Sequence, residues 1–249
     1  MVESRTGDSD LMALVRAIVT GDLTNALRLL GESPGLASTR FEQGATRQTA
    51  KPYYLDEIGR YVYAGDTALH FAAAAYRTDI VQKLIARGAN VRAKNRRGAE
   101  PLHAAVAGMP GSRSWNPSAQ AATVACLIDA GGDPNAINKS GVTPLHVAAR
   151  TRCAAALQML LVGGADAHRK NKSGSTPMLL ATETTGRGGT GSPEAKAELD
   201  LRPGRDVGHG LGRPGRSQAA AVGSGRSVAG ILTHAARHGA CLAHVPRRR

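Results

Sequence analysis

Large aliphatic residues recur along the chain at spacings of three and four. Ile80, Val81, Leu84 and Ile85 form one stripe; Val124, Leu127 and Ile128 form a second; Leu157, Leu160 and Leu161 form a third. That spacing puts each set on one face of a helix. Ahead of each stripe lies a shorter alanine-rich segment, with Ala72 and Ala73, Ala104 and Ala105, and Ala148 and Ala149. Small side chains there let neighbouring helices approach closely. After the stripes come Gly88, Gly131 and Gly164, placed where a left-handed residue ends a helix. The pattern predicts pairs of helices, the first short and alanine-rich, the second amphipathic. Residues 11–36 predict a further pair around a Gly21-Asp22 turn, with Leu27, Leu29 and Leu30 as its stripe.

The pairs repeat. "GDTALHFAAA", "GAEPLHAAVA", "GVTPLHVAAR" and "GSTPMLLATE" begin at Gly65, Gly98, Gly141 and Gly174, at spacings of 33, 43 and 33. The glycines at 88, 131 and 164 give 43 and 33, so both landmarks share one ten-residue insertion. Thr67, Thr143 and Thr176 stand where a hydroxyl caps a helix. Pro101, Pro144 and Pro177 follow at the first helical position, where the missing N–H costs nothing. One such unit cannot bury its apolar face alone, so stacking must supply the core.

These segments resemble the ankyrin repeat family, through "TPLH" at 143–146, "TALH" at 67–70, "EPLH" at 100–103 and "GAD" at 164–166. The resemblance covers roughly residues 10–200. It implies an all-α class: an ankyrin-repeat solenoid of helix-turn-helix units with β-hairpin fingers and a disordered C-terminal tail. The expected organisation is a disordered stretch at 1–9, a repeat domain at 10–199 and a tail at 200–249. Units fall at about 10–36, 65–97, 98–140, 141–173 and 174–199, with an insertion at 37–64. Two departures stand out. Glu100 replaces the capping Thr, which should weaken its unit by about 1 kcal/mol. Leu179 replaces the repeated His, and beyond Glu198 a second helix of the last unit is not recognisable.

Composition narrows the chemistry. With five Tyr, two Phe and one Trp in 249 residues, the core must be aliphatic. Cys126, Cys153 and Cys241 show no paired spacing, which fits a reducing compartment rather than a disulfide framework or a zinc site. The opening "MVESRTGDSD" is polar, unlike a signal peptide, and no stretch is apolar enough to span a membrane. The expected location is the cytoplasm, with an exported effector as the alternative. No nucleophile elbow, HExxH or Walker sequence is present, and no catalytic residue, metal site or cofactor is expected. His70, His103 and His146 are read as framework histidines: one repeat apart, they cannot share a metal's ~2 Å coordination sphere.

The resemblance implies protein–protein binding through the concave surface of fingers and inner helices, by a monomer acting as regulator or inhibitor of one partner. The finger tips carry Arg92, Lys94, Arg96, Arg97, Lys139, Arg169, Lys170 and Lys172. Stacking would align them in a column, either a solvated edge or a strip facing an acidic partner. Nucleic acid is the weaker reading, because no aromatic residues interleave with the charges. The insertion at 37–64 holds Phe41, Tyr53, Tyr54, Tyr61 and Tyr63, and "RYVYAG" alternates like a strand. A long β-finger is expected there, its tyrosines serving either as partner anchors or as a local core; a small-ligand pocket beneath it is a further alternative. Trp115 lies in a second enlarged turn, and the glycine-rich 186–191 segment in a third. The two turns could form one lobe.

That glycine-rich segment, "TTGRGGTGSPEAKAELD", has the outline of a phosphate loop, but the repeat register puts it between two helices, where it serves as an enlarged turn. From Asp200 onward, Gly, Ala, Arg and Pro make up 29 of 50 residues, and nine Arg against two Asp give +7 of the chain's +13. Two readings stay open for this stretch: a disordered basic tail, or the product of a shifted reading frame.

Overall fold

The computed structural model describes residues 3–108 and 115–182. Helix α1 (Glu3–Thr20) and α2 (Leu23–Glu32) come first, then the insertion. Three helix pairs follow: α3 (Ala68–Ala74) with α4 (Thr78–Ala86), α5 (Pro101–Ala105) with α6 (Pro117–Asp129), and α7 (Pro144–Thr151) with α8 (Ala154–Val162). Helix α9 (Pro177–Thr182) opens the next unit. The inner row runs α1, α3, α5, α7, α9, and α4, α6 and α8 pack as an outer row. The core is the space between the rows. Leu14 and Ile18 of α1, Leu69 and Phe71 of α3, and Leu84, Leu127, Leu157 and Leu160 of the outer helices are fully buried there. The all-α repeat solenoid expected from the sequence is the fold.

Two expectations are corrected in detail. The first helix begins at Glu3, so residues 3–9 extend α1 instead of forming a disordered end. Asp8 makes this extension a tether. Its carboxylate accepts the N–H groups of Glu42 at 3.0 Å and Gln43 at 3.2 Å, tying the insertion to α1. The fingers at 92–98, 136–141 and 168–174 are turns without a strand ladder. An asparagine closes each one. Asn95 Oδ1 accepts from the N–H groups of Arg97 and Ala99, Asn138 Oδ1 from Ser140 and Val142, and Asn171 Oδ1 from Ser173 and Ser175, all at 2.9–3.1 Å. The side-chain oxygen takes the place of a partner strand's carbonyl. The second helix of the last unit, the 186–191 segment and the tail from 200 lie outside the described residues.

The fingers stack on one another. Arg96 N–H donates to Ala64 O at 2.7 Å, Lys139 N–H to Arg97 O at 2.9 Å, and Lys172 N–H to Ser140 O at 3.1 Å. Gly98 makes this approach possible. Its φ is +73°, and a Cβ there would sit 3.0 Å from the Lys139 nitrogen.

Helices α3, α5 and α7 are also each stitched to the next unit by a histidine. His70 Nε2 meets Ala99 O at 3.1 Å, His103 Nε2 meets Val142 O at 3.0 Å, and His146 Nε2 meets Ser175 O at 3.0 Å. Each Nδ1 faces the cap N–H of its own helix, from Thr67, Glu100 or Thr143, at 3.1–3.3 Å. A carbonyl only accepts and an N–H only donates, so the proton must sit on Nε2 in all three rings. Both ring nitrogens are then committed, which is why these positions serve the framework.

Glu100 sits in a cap position built for a hydroxyl. Its carboxylate is buried without a hydrogen bond, facing Arg92 Nε at 3.8 Å and Lys94 Nζ at 3.7 Å. Burial pushes its pKa up, against the pull of those two cations. A raised carboxylate pKa means stability held at low pH and lost as pH rises through the folded value. Glu100→Thr should therefore stabilise the protein at pH 7 by about 1 kcal/mol, restoring a satisfied cap. The gain should shrink as pH falls through the carboxylate range. Thermal melts of both proteins across that range check it.

Candidate partner-binding surface

The insertion is anchored at its base and folded back on the stack. Phe41 N–H donates to Asp66 O at 2.9 Å, Gly65 N–H to Phe41 O at 2.7 Å, and Ala45 N–H to Val62 O at 2.8 Å. At its tip, β1 (Tyr54–Leu55) pairs antiparallel with β2 (Arg60–Tyr61). The expected long β-finger is thus a hairpin of two-residue strands. The reason lies at Tyr63, whose N–H turns away to Asp66 Oδ2 at 2.8 Å and diverts the strand towards α3.

The four tyrosines divide by role. Tyr54 and Tyr61 are cross-strand partners with rings 4.7 Å apart, and both are exposed, at 40% and 39%. Tyr53 packs against the core and bonds Gln43 Oε1 at 3.4 Å. Tyr63 is half-buried, its ring 5.1 Å from the guanidinium of Arg96 and 5.3 Å from that of Arg97. The insertion therefore provides both things the sequence offered as alternatives, a local core and an exposed aromatic pair.

The basic finger residues divide as well. Arg92 pairs with Asp133 at 3.0 Å, and Arg92 and Lys94 both face Glu100. Arg96 donates to Ala45 O and braces the insertion against the first finger. Arg97 reaches Tyr63 Oη at 3.3 Å. Lys139, Arg169, Lys170 and Lys172 are exposed and have no carboxylate within 4.0 Å among the described residues. These four, with Arg96 and Arg97, make up the part of the column that faces no carboxylate among the described residues.

Trp115 is half-buried. Its Nε1–H donates to Gln120 Oε1 at 3.2 Å, and Gln120 Nε2 in turn donates to Ala105 O at 3.0 Å. This ring holds α6 on α5, and with Ile58 and Tyr76 it borders an open cavity of about 310 Å³. The partner proposed for it in a lobe, 186–191, lies outside the described residues.

Three residues of the concave face were not singled out by sequence reasoning: Arg60, Asp66 and Arg150. Asp66 is fully buried, accepting from Asn95 Nδ2 at 2.8 Å as well as from Tyr63. Arg60 Nη2 stands 3.8 Å from Asp66 Oδ1, and its guanidinium lies 5.9 Å from the Phe71 ring. Arg150 ends the exposed side of α7. The only signal available was positional, since "GDT" and "VAAR" are parts of the repeat itself.

Stacked helix pairs, stitched by a capped histidine and presenting fingers along one edge, define a helical repeat scaffold. The family model described as "Ankyrin repeat" matches residues 64–96, and the one described as "Ankyrin repeats (many copies)" matches 127–181. The chain is also similar to the E3 ubiquitin-protein ligase KEG of Arabidopsis thaliana, 38% identical over 96 residues. The shared stretch is 37% of this chain and 5% of the ligase. Residues 64–96 and 127–181 of the chain thus carry ankyrin repeats. Ankyrin repeats generally mediate protein–protein interaction and are typically non-catalytic. No helix among the described residues is long and apolar enough to cross a membrane.

Proposed function

We propose that the protein is a non-catalytic binding module that grips an acidic surface of a partner protein with its fingers and concave inner helices. The observation that carries this reading is the division of charge along the fingers. Arg92 and Lys94 are neutralised within the molecule, whereas Lys139, Arg169, Lys170 and Lys172 are exposed and unpaired among the described residues. Unpaired like charges on one edge repel one another, and an acidic partner relieves that repulsion and steers its own approach. Nucleic acid fits less well, because Tyr54 and Tyr61 are paired with each other and no aromatic residue alternates with the edge lysines. The ubiquitin-ligase activity in the plant relative's name is not carried over, since the shared stretch is so small a part of that protein.

The test is a salt-titrated pulldown from nuclease-treated extract, wild type beside a Lys139→Glu/Lys172→Glu double variant. Both positions are exposed, so the variant should fold. Retention of the partner should fall about tenfold in the variant. Binding that disappears with nuclease, or that ignores the double substitution, overturns the proposal.

A further inference from the structure

A cavity of about 250 Å³ lies on the concave face beneath the insertion. Its roof is Tyr61 and Tyr63, its floor is Ala99, Ala104 and Val147, and three arginines line it: Arg60, Arg97 and Arg150. The arginines come from three separate elements: the insertion hairpin, the first finger and α7. No carboxylate lines the cavity among the described residues. The nearest, Asp66, already accepts two hydrogen bonds at 2.8 Å. Arg60 Nε is buried with no hydrogen-bond partner. Arg150 is exposed and makes no ion pair among the described residues. His103 lines the same space, but its Nε2–H is spent on Val142 O, and burial lowers its pKa to about 4. Arg97 reaches Tyr63 Oη and Arg60 Nη2 stands 3.8 Å from Asp66, so Arg60 Nε and the guanidinium of Arg150 are the donors the cavity leaves unmatched.

We infer that this cavity seats an acidic side chain, Asp or Glu, from an extended segment of the partner. The inference rests on the binding-module reading above and deepens it. Guanidinium groups suit a carboxylate because their N–H fork matches its two oxygens. Alanines on the floor leave room for a backbone to lie against α5, and the tyrosine rings cover the stem of the acidic side chain. Asn138 also lines the cavity, and its neighbour Lys139 starts the unpaired edge, so a second acid further along the same segment meets a second cation. The insertion supplies the roof, so this seat is particular to this chain and not to the repeat.

The experiment uses fluorescein-labelled ten-residue peptides carrying none, one, two or four Glu, a phosphoserine counterpart of the two-Glu peptide, and single-stranded DNA of twenty nucleotides. Fluorescence anisotropy against the full chain reads affinity; a melt of each variant confirms folding. Affinity should rise with Glu count and fall about tenfold in Arg150→Glu, and less in Arg150→Gln, which keeps the shape without the charge. Loss in Lys139→Glu/Lys172→Glu with Arg150→Glu unaffected overturns the seat and leaves the edge reading standing. Indifference to both sets overturns both. A phosphopeptide or the DNA bound more than about tenfold more tightly than the four-Glu peptide overturns the carboxylate assignment.

Discussion

Acidification from pH 7 to pH 4 should strip this protein of much of its stability, and the three stitching histidines should account for most of the loss. Burial lowers the pKa of His70, and the charges of Arg60 and Arg40 act the same way; Asp66 and the Ala99 carbonyl oppose them. Burial also lowers His103, to about 4, and lowers His146 against the pull of the Ser175 and Arg169 carbonyls. A histidine whose folded pKa lies below its unfolded value near 6.5 binds its proton more readily in the unfolded chain. Its stabilising contribution is present above about pH 6.5 and is lost as pH falls through the folded pKa. For His103 that is about 3 kcal/mol by pH 4, a large share of the roughly 5–15 kcal/mol that holds a domain together. The structural event is plain: a proton on Nδ1 removes the acceptor for the cap N–H and places a charge in the core. Urea unfolding at half-unit steps of pH should show an uptake of about one proton from His103 on unfolding near pH 5, with His70 and His146 adding to it. His103→Gln should reduce that uptake by about one. A stability curve flat between pH 7 and 5 would refute the argument. Glu100 works in the opposite direction and softens the loss slightly, so Glu100→Thr should steepen it.

The repeated positions were readable from the sequence because each does a local job. Thr143 caps, Pro144 starts a helix and Gly164 follows one, and each signal sits within a few residues of its effect. The aliphatic stripes were readable for the same reason, since their period is the helix's own. What could not be read were bonds that cross units. His70 to Ala99 spans 29 residues and His103 to Val142 spans 39, and nothing local marks the acceptor carbonyl. The basic column looked uniform in sequence, but only the stack shows that Arg92 meets Asp133, forty-one residues on, while Lys172 meets no acid among the described residues. Arg60 and Arg150 were invisible as a pair because they are brought together by the insertion folding back, and its path is set by Asp8, Asp66 and Tyr63. The alternation in "RYVYAG" was real but misleading: it fits a strand, and one buried carboxylate, Asp66, ends that strand after two residues.

Phe71→Ala should be the most damaging single substitution, costing about 3–5 kcal/mol. Phe71 is the largest of the fully buried side chains among the described residues. Its ring meets Phe41 edge-on at 6.0 Å and an 84° angle, and the Arg60 guanidinium lies 5.9 Å from its centre. It therefore joins three things at once: the α3 core, the base of the insertion and a cation of the concave cavity. Leu127→Ala provides the contrast. That side chain is also fully buried, and its loss should cost about 2–5 kcal/mol, but it packs in the outer row away from the insertion. Both variants should melt earlier. Only Phe71→Ala should also loosen the insertion while the stack is still folded, seen as faster tryptic cleavage after Arg47 well below the melting temperature. It should weaken binding of acidic peptides too, because Arg60 loses the ring against which it is set, whereas Leu127→Ala should leave that affinity unchanged. Equal cleavage in both variants would mean that the insertion rides on global stability alone, with Phe71 contributing volume and nothing more.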